Sequence, residues 1–245
     1  REPERGGADG IAAGAEAPPL RETAAYLFGS AAYVHIVLSA GFHAFSSMGT
    51  ATWYPAYLGR VHGLDLATTG VAYALVGPVL SALGALVGGR LADRLGARDV
   101  RGYMRVPAWS ALLALPSTLA FVLWPAGSTF SVGSLELPVA LLVLMPSSFL
   151  GGMWNGPTLA MVLGIAKPRM RALASGLTTG SYNLVGLGLG PPLVGVLSDR
   201  LAPSFGVDAL RYALLVVALA HVVGSLHNFL AARTLARDLA AARGA

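Results

Sequence analysis

The chain has 245 residues, of which 55% are hydrophobic and only 12% charged, and its mean hydropathy is +0.63. Soluble domains carry about 25% charged residues, so this composition is typical of a membrane protein. Because the chain has no cysteine, disulfides, thiolate metal sites and cysteine nucleophiles are excluded.

Residues 1–26 are rich in glycine, alanine, proline and charged side chains, which favours a flexible linker over a packed element. The sequence begins at Arg1, and no signal peptide precedes the first apolar stretch. We therefore expect a fragment or a processed piece of a longer product.

Six apolar stretches follow, each long enough to cross a bilayer, which takes about 20 helical residues. They lie near 27–58, 67–92, 106–125, 137–164, 172–197 and 209–232. The sequence thus predicts an all-α polytopic membrane protein, with a six-helix unit over 27–235 and a tail at 236–245. Pro168 and Pro203 lie beside predicted spans, as residues that interrupt helices do.

The basic residues alternate between the loops. The loops after the first, third and fifth spans carry 3 Lys and Arg residues in total. The loops after the second and fourth spans, together with the C-terminal tail, carry 11. This is the positive-inside bias, and it predicts that both chain ends are cytoplasmic. A nucleic-acid surface would not alternate with the spans, so the net charge of +5 does not indicate a nucleic-acid partner.

Two similar phrases end the second and fifth spans, 106 residues apart. They read Gly-Gly-Arg-Leu-Ala-Asp-Arg-Leu-Gly at 88–96 and Val-Gly-Val-Leu-Ser-Asp-Arg-Leu-Ala at 194–202. Six spans divide into two triplets, and three is odd, so the second triplet runs inverted. Asp93 then lies on the cytoplasmic side and Asp199 outside. Inverted three-helix repeats are a recurring design of secondary carriers.

Residues 89–98, Gly-Arg-Leu-Ala-Asp-Arg-Leu-Gly-Ala-Arg, closely resemble the signature of the major facilitator superfamily, G-x-L-A-D-R-x-G-R followed by Arg or Lys. They depart from it at Ala97, where a basic residue is usual. Two further stretches, 53–64 and 170–213, look like the bacterial spinster-like carriers, and this resemblance covers about 30–230. It implies the C-terminal half of a twelve-helix carrier. Its partners would be an N-terminal six-helix half, the lipid bilayer, a small-molecule substrate and protons.

The resemblance also implies a gate. In the superfamily the aspartate that corresponds to Asp93 docks on a helix N-terminus of the other half, an interaction worth ~0.3–1 kcal/mol and up to ~2 when partly buried. The gate candidates are Gly89, Asp93, Arg94, Arg98, Asp199 and Arg200, with Gly89 allowing close helix approach. The alternative is that both Asp-Arg pairs are solvated loop charges.

The first span carries a polar stripe at steps of three and four residues, which places it on one helix face. Its members are His35, Ser39, His43, Ser46, Thr50 and Tyr54. Polar groups avoid lipid, so we expect the stripe to face a central cavity, with His43 deepest and able to titrate near neutral pH. The later spans add Trp154, Asn155, Tyr182 and Asn183. Interhelical packing is the alternative role for all of them.

The sequence gives little support for a metal, cofactor or phosphate-binding site. The five histidines form no predicted metal-ligand set, and no cofactor is expected. The spacings Gly84-x-x-x-Gly88 and Gly186-x-Gly188-x-Gly190 lack the strand and lysine of a phosphate loop, and indicate close helix packing instead. We expect His221, His227 and Asn228 to be interface or packing residues.

The leading functional prediction is a secondary active transporter, not an enzyme, in the bacterial inner membrane. It would move a small organic or amphipathic, lipid-like solute by alternating access, with proton coupling implied by the resemblance. One alternative is a six-span permease subunit of an ATP-driven transporter, although the cytoplasmic loops are short for a coupling helix. The other is an intramembrane serine hydrolase using Ser175 and His221, although the Gly-x-Ser-Gly signature is absent.

Overall fold

The computed structural model describes residues 18–243, which form a helical bundle with one short hairpin. The hairpin pairs β1 (Thr129–Val132) with β2 (Leu135–Pro138) in antiparallel register. The helices are α1 (Leu20–Phe28), α2 (Ala31–His62), α3 (Leu66–Ala74), α4 (Leu80–Gly96), α5 (Gly102–Leu123), α6 (Ala140–Gly151), α7 (Asn155–Ile165), α8 (Arg171–Phe205), α9 (Ala209–Ala218) and α10 (Ala220–Arg243). A π-helical segment, Leu75–Val79, joins α3 to α4, and a 3-10 turn, Gly152–Trp154, joins α6 to α7.

The six predicted spans correspond to α2, α3–α4, α5, α6–α7, α8 and α9–α10. By length and hydropathy, Leu66–Gly96, Gly102–Leu123 and Pro168–Ala242 can cross a membrane, and the bent pair α1 and α2, at 94°, makes a fourth. The 75-residue stretch contains two passes, because the chain reverses after Gly206, which has a φ of 54°. The predicted all-α polytopic fold is confirmed.

Asp93 and Asp199 lie at opposite ends of this bundle. Asp93 lines a groove together with Arg171, at the start of α8, and Leu239, near the end of α10. Asp199 lies 28 residues farther along α8 than Arg171, which is about 42 Å at a rise of 1.5 Å per residue. We refer below to the Asp93 end and the Asp199 end. Opposite placement is what an inverted repeat requires.

One glycine contact occurs in both triplets. A methyl group at Gly84 of α4 would collide with the carbonyl oxygen of Phe149 in α6. A methyl group at Gly190 of α8 would lie 2.7 Å from the carbonyl oxygen of Phe45 in α2. Gly84 and Gly190 are 106 residues apart, the same offset as the two Asp-Arg phrases. The predicted close packing at these glycines is confirmed, and the two triplets cross their helices in the same way.

Gly89 does not have the predicted packing role within the described chain. A methyl group at Gly89 would meet nothing within 4 Å, whereas one at Gly88 would lie 2.6 Å from Met153. The two residues are neighbours on a helix, so their side-chain positions point about 100° apart. The glycine that brings α4 close to its neighbour is therefore Gly88, one residue before the motif.

The domain boundaries also need revision. Residues 20–28, most of which were expected to be linker, form α1, which docks through the fully buried Leu27 and a hydrogen bond from the Tyr26 hydroxyl to the carbonyl oxygen of Ile165 at 3.2 Å. α10 continues without a break through the expected tail as far as Arg243. Residues 1–17 and 244–245 lie outside the described part of the chain.

Candidate functional site

A cavity of about 250 Å³ lies within the six-helix bundle. It is bounded by α2, the α3–α4 pass, α5, the α6–α7 pass and the start of α10. The lining residues are His43, Ser47, Thr50, Ala51, Tyr54, Tyr73, Gly77, Pro78, Ser81, Ser110, Ala111, Ala114, Thr118, Leu144, Ser147, Ser148, Leu150, Gly151, Trp154 and His221.

The lining is mostly apolar by area, but among the described residues it carries many hydroxyl groups and no charged side chain. Nine of these side chains carry a hydroxyl group, and none is Asp, Glu, Lys or Arg in the described part of the chain. Several hydroxyls donate to a carbonyl of their own helix, for example Thr50 to Ser46 at 2.8 Å and Ser147 to Leu144 at 2.9 Å. Their lone pairs are then left to accept hydrogen bonds. The cavity thus suits a group that brings its own hydrogen-bond donors.

The π-helical segment shapes one wall. Pro78 lies within it, and proline has no N–H with which to continue the regular hydrogen-bond pattern of the helix. The wider turn places Tyr73, Gly77, Pro78 and Ser81 on the cavity. A methyl group at Gly77 would lie 3.0 Å from the Tyr73 ring, so glycine here leaves room for that ring. Single π-helical turns within α-helices often occur at functional sites.

His43 occupies the deepest part of the lining and is 1% exposed. Its Nδ1 lies 3.2 Å from Nδ1 of His221, and its Nε2 lies 3.0 Å from Nδ2 of Asn228, both on α10. A methyl group at Gly224 would lie 2.9 Å from the His43 ring, so glycine there makes space for the imidazole. The Trp154 ring lies 6.0 Å from the His43 ring across the cavity.

At the Asp93 end, the Asp93 carboxylate is exposed and accepts a hydrogen bond from the Tyr103 hydroxyl at 2.8 Å. Asp93 and Tyr103 line a groove that also includes Met161, Arg171 and Leu239. The exposed acid and the apolar groove face away from the core, where a second protein surface can reach them.

A family model described as the Major Facilitator Superfamily matches residues 1–191, more than half of the chain. The chain belongs to the Major Facilitator Superfamily.

Individual relatives agree with this assignment. An "MFS-type efflux pump" of Mycolicibacterium smegmatis (strain ATCC 700084 / mc(2)155) is 35% identical over 209 residues, which are 84% of this chain and 46% of the pump. A bacterial homologue of the human lysosomal transporter Spinster, inward-facing and unoccupied, has a TM-score of 0.74 at 21% identity, covering 89% of this chain and 51% of the homologue. A proton:xylose symporter has a TM-score of 0.57 at 15% identity, with coverages of 91% and 52%.

The chain therefore spans about half the length of the superfamily relatives that it matches. The structural likeness to the Spinster homologue and to the symporter shows a shared fold. The prediction of a spinster-like, six-helix half of the major facilitator fold is confirmed at that level.

The predicted cavity residues of this superfamily member divide into two groups. His43, Thr50, Tyr54 and Trp154 line the cavity. The other four do not line it, in contrast to the prediction. Ser46 is fully buried and lies 3.4 Å from the carbonyl oxygen of Ala218, so it packs between helices. The others are Asn155, which is exposed, and Tyr182 and Asn183, which are half-buried.

The structure accounts for the misplacement of Ser46. The helical repeat of 3.6 residues fixes the face of the stripe to within about one residue, and the packing of α9 decides which residue is covered. Ser47, the next residue, lines the cavity in its place. Tyr182 still contacts the cavity wall indirectly, because its ring packs edge-to-face on Trp154 at 5.6 Å.

Three features were missed or only partly anticipated. His221 and Asn228 were expected to pack, and they do so against His43, which makes them part of the site. His35 and His227 form a second pair, with 3.0 Å between their Nδ1 atoms. The buried carboxylate of Asp238 holds the start of α2, and nothing in the local sequence around Asp238 indicates a partner 206 residues away.

Proposed function

We propose that this chain is the C-terminal half of a twelve-helix secondary carrier that moves a small organic or amphipathic, lipid-like solute by alternating access, coupled to protons. The observation that carries the proposal is a cavity with many hydroxyl groups and no charged side chain among its described lining residues, inside an apolar six-helix bundle that spans about half of its relatives' length. The names of the relatives, an efflux pump and a proton:xylose symporter, support transport by the whole protein.

The solute class follows from the lining. Hydroxyl and imidazole groups satisfy an uncharged polar group, and a buried ion without a counter-charge would cost several kcal/mol. Leu144, Leu150 and the aromatic rings supply apolar walls for the rest of the molecule. An amphipathic solute with a hydroxyl-bearing head fits both parts.

Orientation and gating follow from the charges. We infer that the Asp93 end faces the cytoplasm of a bacterial inner membrane, and the basic residues collected at this end support that orientation by the positive-inside rule. Asp93, Arg94 and Arg98 are exposed there. We infer that they dock on the N-terminal half when the carrier faces outward, and that the exposed Asn155 is covered by that half. Asp199 and Arg200, also exposed, belong to the opposite gate.

The test is to fill the cavity of the full-length protein in lipid vesicles. Gly151 lines the cavity, and a methyl group there would meet nothing within 4 Å, so leucine can enter without moving the backbone. Gly151→Leu should slow transport of a fluorescent monoacylglycerol at least about tenfold, the scale of one misplaced methylene in a binding pocket. Fluorescent lysophosphatidic acid serves as the anionic counterpart.

Gly156→Leu is the matched control, because Gly156 also has open space and does not line the cavity. Equal rates for both variants and the wild type, with normal folding, would contradict the proposed site. Faster transport of the anionic probe would contradict the uncharged-head assignment. Transport that needs ATP and ignores a pH gradient would favour the ATP-driven permease.

A further inference from the structure

The interface between α2 and α10 holds four of the five histidines in two facing pairs. His43 faces His221 with 3.2 Å between their Nδ1 atoms, and His35 faces His227 with 3.0 Å. The His43 pair lies at the cavity wall, and the His35 pair lies eight residues nearer the start of α2, about 12 Å along the helix. Ionisable groups inside membrane-spanning segments mark functional sites by default.

The hydrogen-bond partners fix where the protons lie in the neutral His43 pair. The Asn228 Nδ2 atom can only donate, so His43 Nε2 accepts at 3.0 Å. The neutral His43 ring then carries its hydrogen on Nδ1 and donates it to Nδ1 of His221. His221 keeps its own hydrogen on Nε2, and it lines the cavity. With one proton between the two rings, both Nδ1 atoms and the Nε2 atom of His43 each have a hydrogen-bond partner.

The same three side chains can hold one extra proton. If His43 gains a hydrogen on Nε2, rotation of the Asn228 amide by 180° presents Oδ1 as the acceptor in the same volume. His43 still donates from Nδ1 to His221, so no donor loses its partner. A second proton would place two N–H groups face to face at 3.2 Å, which leaves both without an acceptor. The pair therefore binds one proton as a unit.

The surroundings leave this charge uncompensated. The titratable groups that face the pair across the cavity are Tyr54 and Tyr73. The second histidine pair is the other titratable group on α2 and α10 near it, and among the described lining residues there is no carboxylate, ammonium or guanidinium. The Trp154 ring centroid lies 6.0 Å from that of His43, at the outer limit of a cation–π contact. Uptake of a proton changes the net charge of the cavity wall, which makes the occupancy of the cavity sensitive to it.

We propose that His43, His221 and Asn228 form a single-proton binding site in the wall of the solute cavity, through which solute binding and protonation are coupled. This assignment rests on the proposed carrier function for its role, but not for its chemistry. The ligand of the site is a proton, and the binding reaction transfers it to Nε2 of His43 with rotation of the Asn228 amide.

The chemistry is tested without any solute. The full-length protein, labelled with ¹⁵N-histidine in lipid vesicles, should show one proton taken up by the His43 and His221 rings together as the pH is lowered stepwise from neutral for as long as the protein stays folded. Signals are assigned by their loss in His43→Gln and His221→Gln. Independent protonation of both rings, or no uptake by either ring before the protein unfolds, would overturn the site. The number of protons taken up is measured on the wild type, and the variants serve to assign its signals.

The coupling is tested with the fluorescent monoacylglycerol. A pH gradient should accelerate wild-type transport by about 5–150-fold, the usual range of coupling between two sites. In His221→Gln, whatever its rate without the gradient, the ratio of the rates with and without the gradient should fall to about one. His62→Gln is the control, because His62 contacts Tyr57 at the Asp199 end, away from the cavity. Acceleration that persists in folded His221→Gln contradicts this inference alone. If the pH gradient does not accelerate wild-type transport, the proposed function is contradicted. The NMR measurement then still tests the proton site.

Discussion

Gly84→Ala is expected to destabilise the protein by about 3 kcal/mol or more, although alanine is the better helix former. The added methyl group would collide with the carbonyl oxygen of Phe149 on α6. A carbonyl in a helix cannot turn aside without breaking its own hydrogen bond, so the two helices must separate. Gly152→Ala should have the same effect from the other side of the contact, because its methyl group would collide with the carbonyl oxygen of Ser81 on α4.

Gly89→Ala is the matched control, five residues along the same helix. The added methyl group meets nothing within 4 Å, and the change from glycine to alanine in a helix is worth up to about 1 kcal/mol in favour of folding. Thermal unfolding of the full-length protein in detergent, followed by size-exclusion chromatography with tryptophan fluorescence, measures both variants. The two substitutions should shift the midpoint in opposite directions. A midpoint for Gly84→Ala equal to that of Gly89→Ala would show that α4 and α6 do not touch at this glycine.

Asp238→Ala is expected to destabilise the start of α2 by about 1–3 kcal/mol, the cost of leaving a buried donor without its acceptor. One carboxylate oxygen of Asp238 accepts from the Ala32 N–H at 2.9 Å and from the Ser30 hydroxyl at 2.7 Å. The Ser30 hydroxyl oxygen in turn accepts from the Tyr33 N–H at 3.1 Å. A side chain near the end of α10 thus caps the first turn of α2, where the chain bends by 94° from α1.

The same contacts give the stability a pH dependence of known sign. The charged carboxylate accepts from the Ala32 N–H, the Ser30 hydroxyl and the Arg237 guanidinium, and protonation would remove part of this acceptor capacity. Because the unfolded chain lacks these contacts, the carboxylate stabilises the fold above the unfolded aspartate pKa of about 3.9. That contribution is lost as the pH falls below this value.

Asp238→Asn should therefore remove this acid-dependent loss, because the amide does not titrate in this range. Asp99→Ala is the control acid, since Asp99 is exposed and its ion pair with Arg105, at 3.0 Å, is of the surface type worth about 0–1 kcal/mol. Unfolding midpoints measured from neutral pH to about pH 2, below the unfolded pKa, compare the four proteins. A difference between wild type and Asp238→Asn that stays constant as the pH falls would contradict the assigned role of the carboxylate.

Much of the fold could be predicted because it depends on short sequence distances. Six apolar stretches give six helical passes, since a bilayer-length apolar helix needs no partner to satisfy its backbone. The two Asp-Arg phrases predicted the inverted repeat, and the glycine contacts at 84 and 190 share its offset. The close approach expected at Gly89 occurs at Gly88 within the described chain, because the sequence does not show which helix face is covered.

The candidate site was predicted only in part. Periodicity placed His43, Thr50 and Tyr54 on one face of α2, and that face does line the cavity. The π-helical segment was not predicted, because Pro78 within an apolar run has several possible outcomes and the packing of α4 on α6 selects one. The hairpin at 129–138 was likewise missed, although both strands alternate polar and apolar side chains, because each strand has only four residues and lies between two long apolar helices.

The sequence by itself determined that this protein is a six-pass membrane bundle with two inverted triplets, because hydropathy, helical period and basic-residue counts act within single segments. Only the tertiary structure decided which polar groups meet. His43 contacts His221 and Asn228 across 178 and 185 residues, and Ala32 contacts Asp238 across 206. The helical period sets the direction of a side chain from its own axis, but its partner depends on which helix packs there and at what height, and both are properties of the assembled bundle.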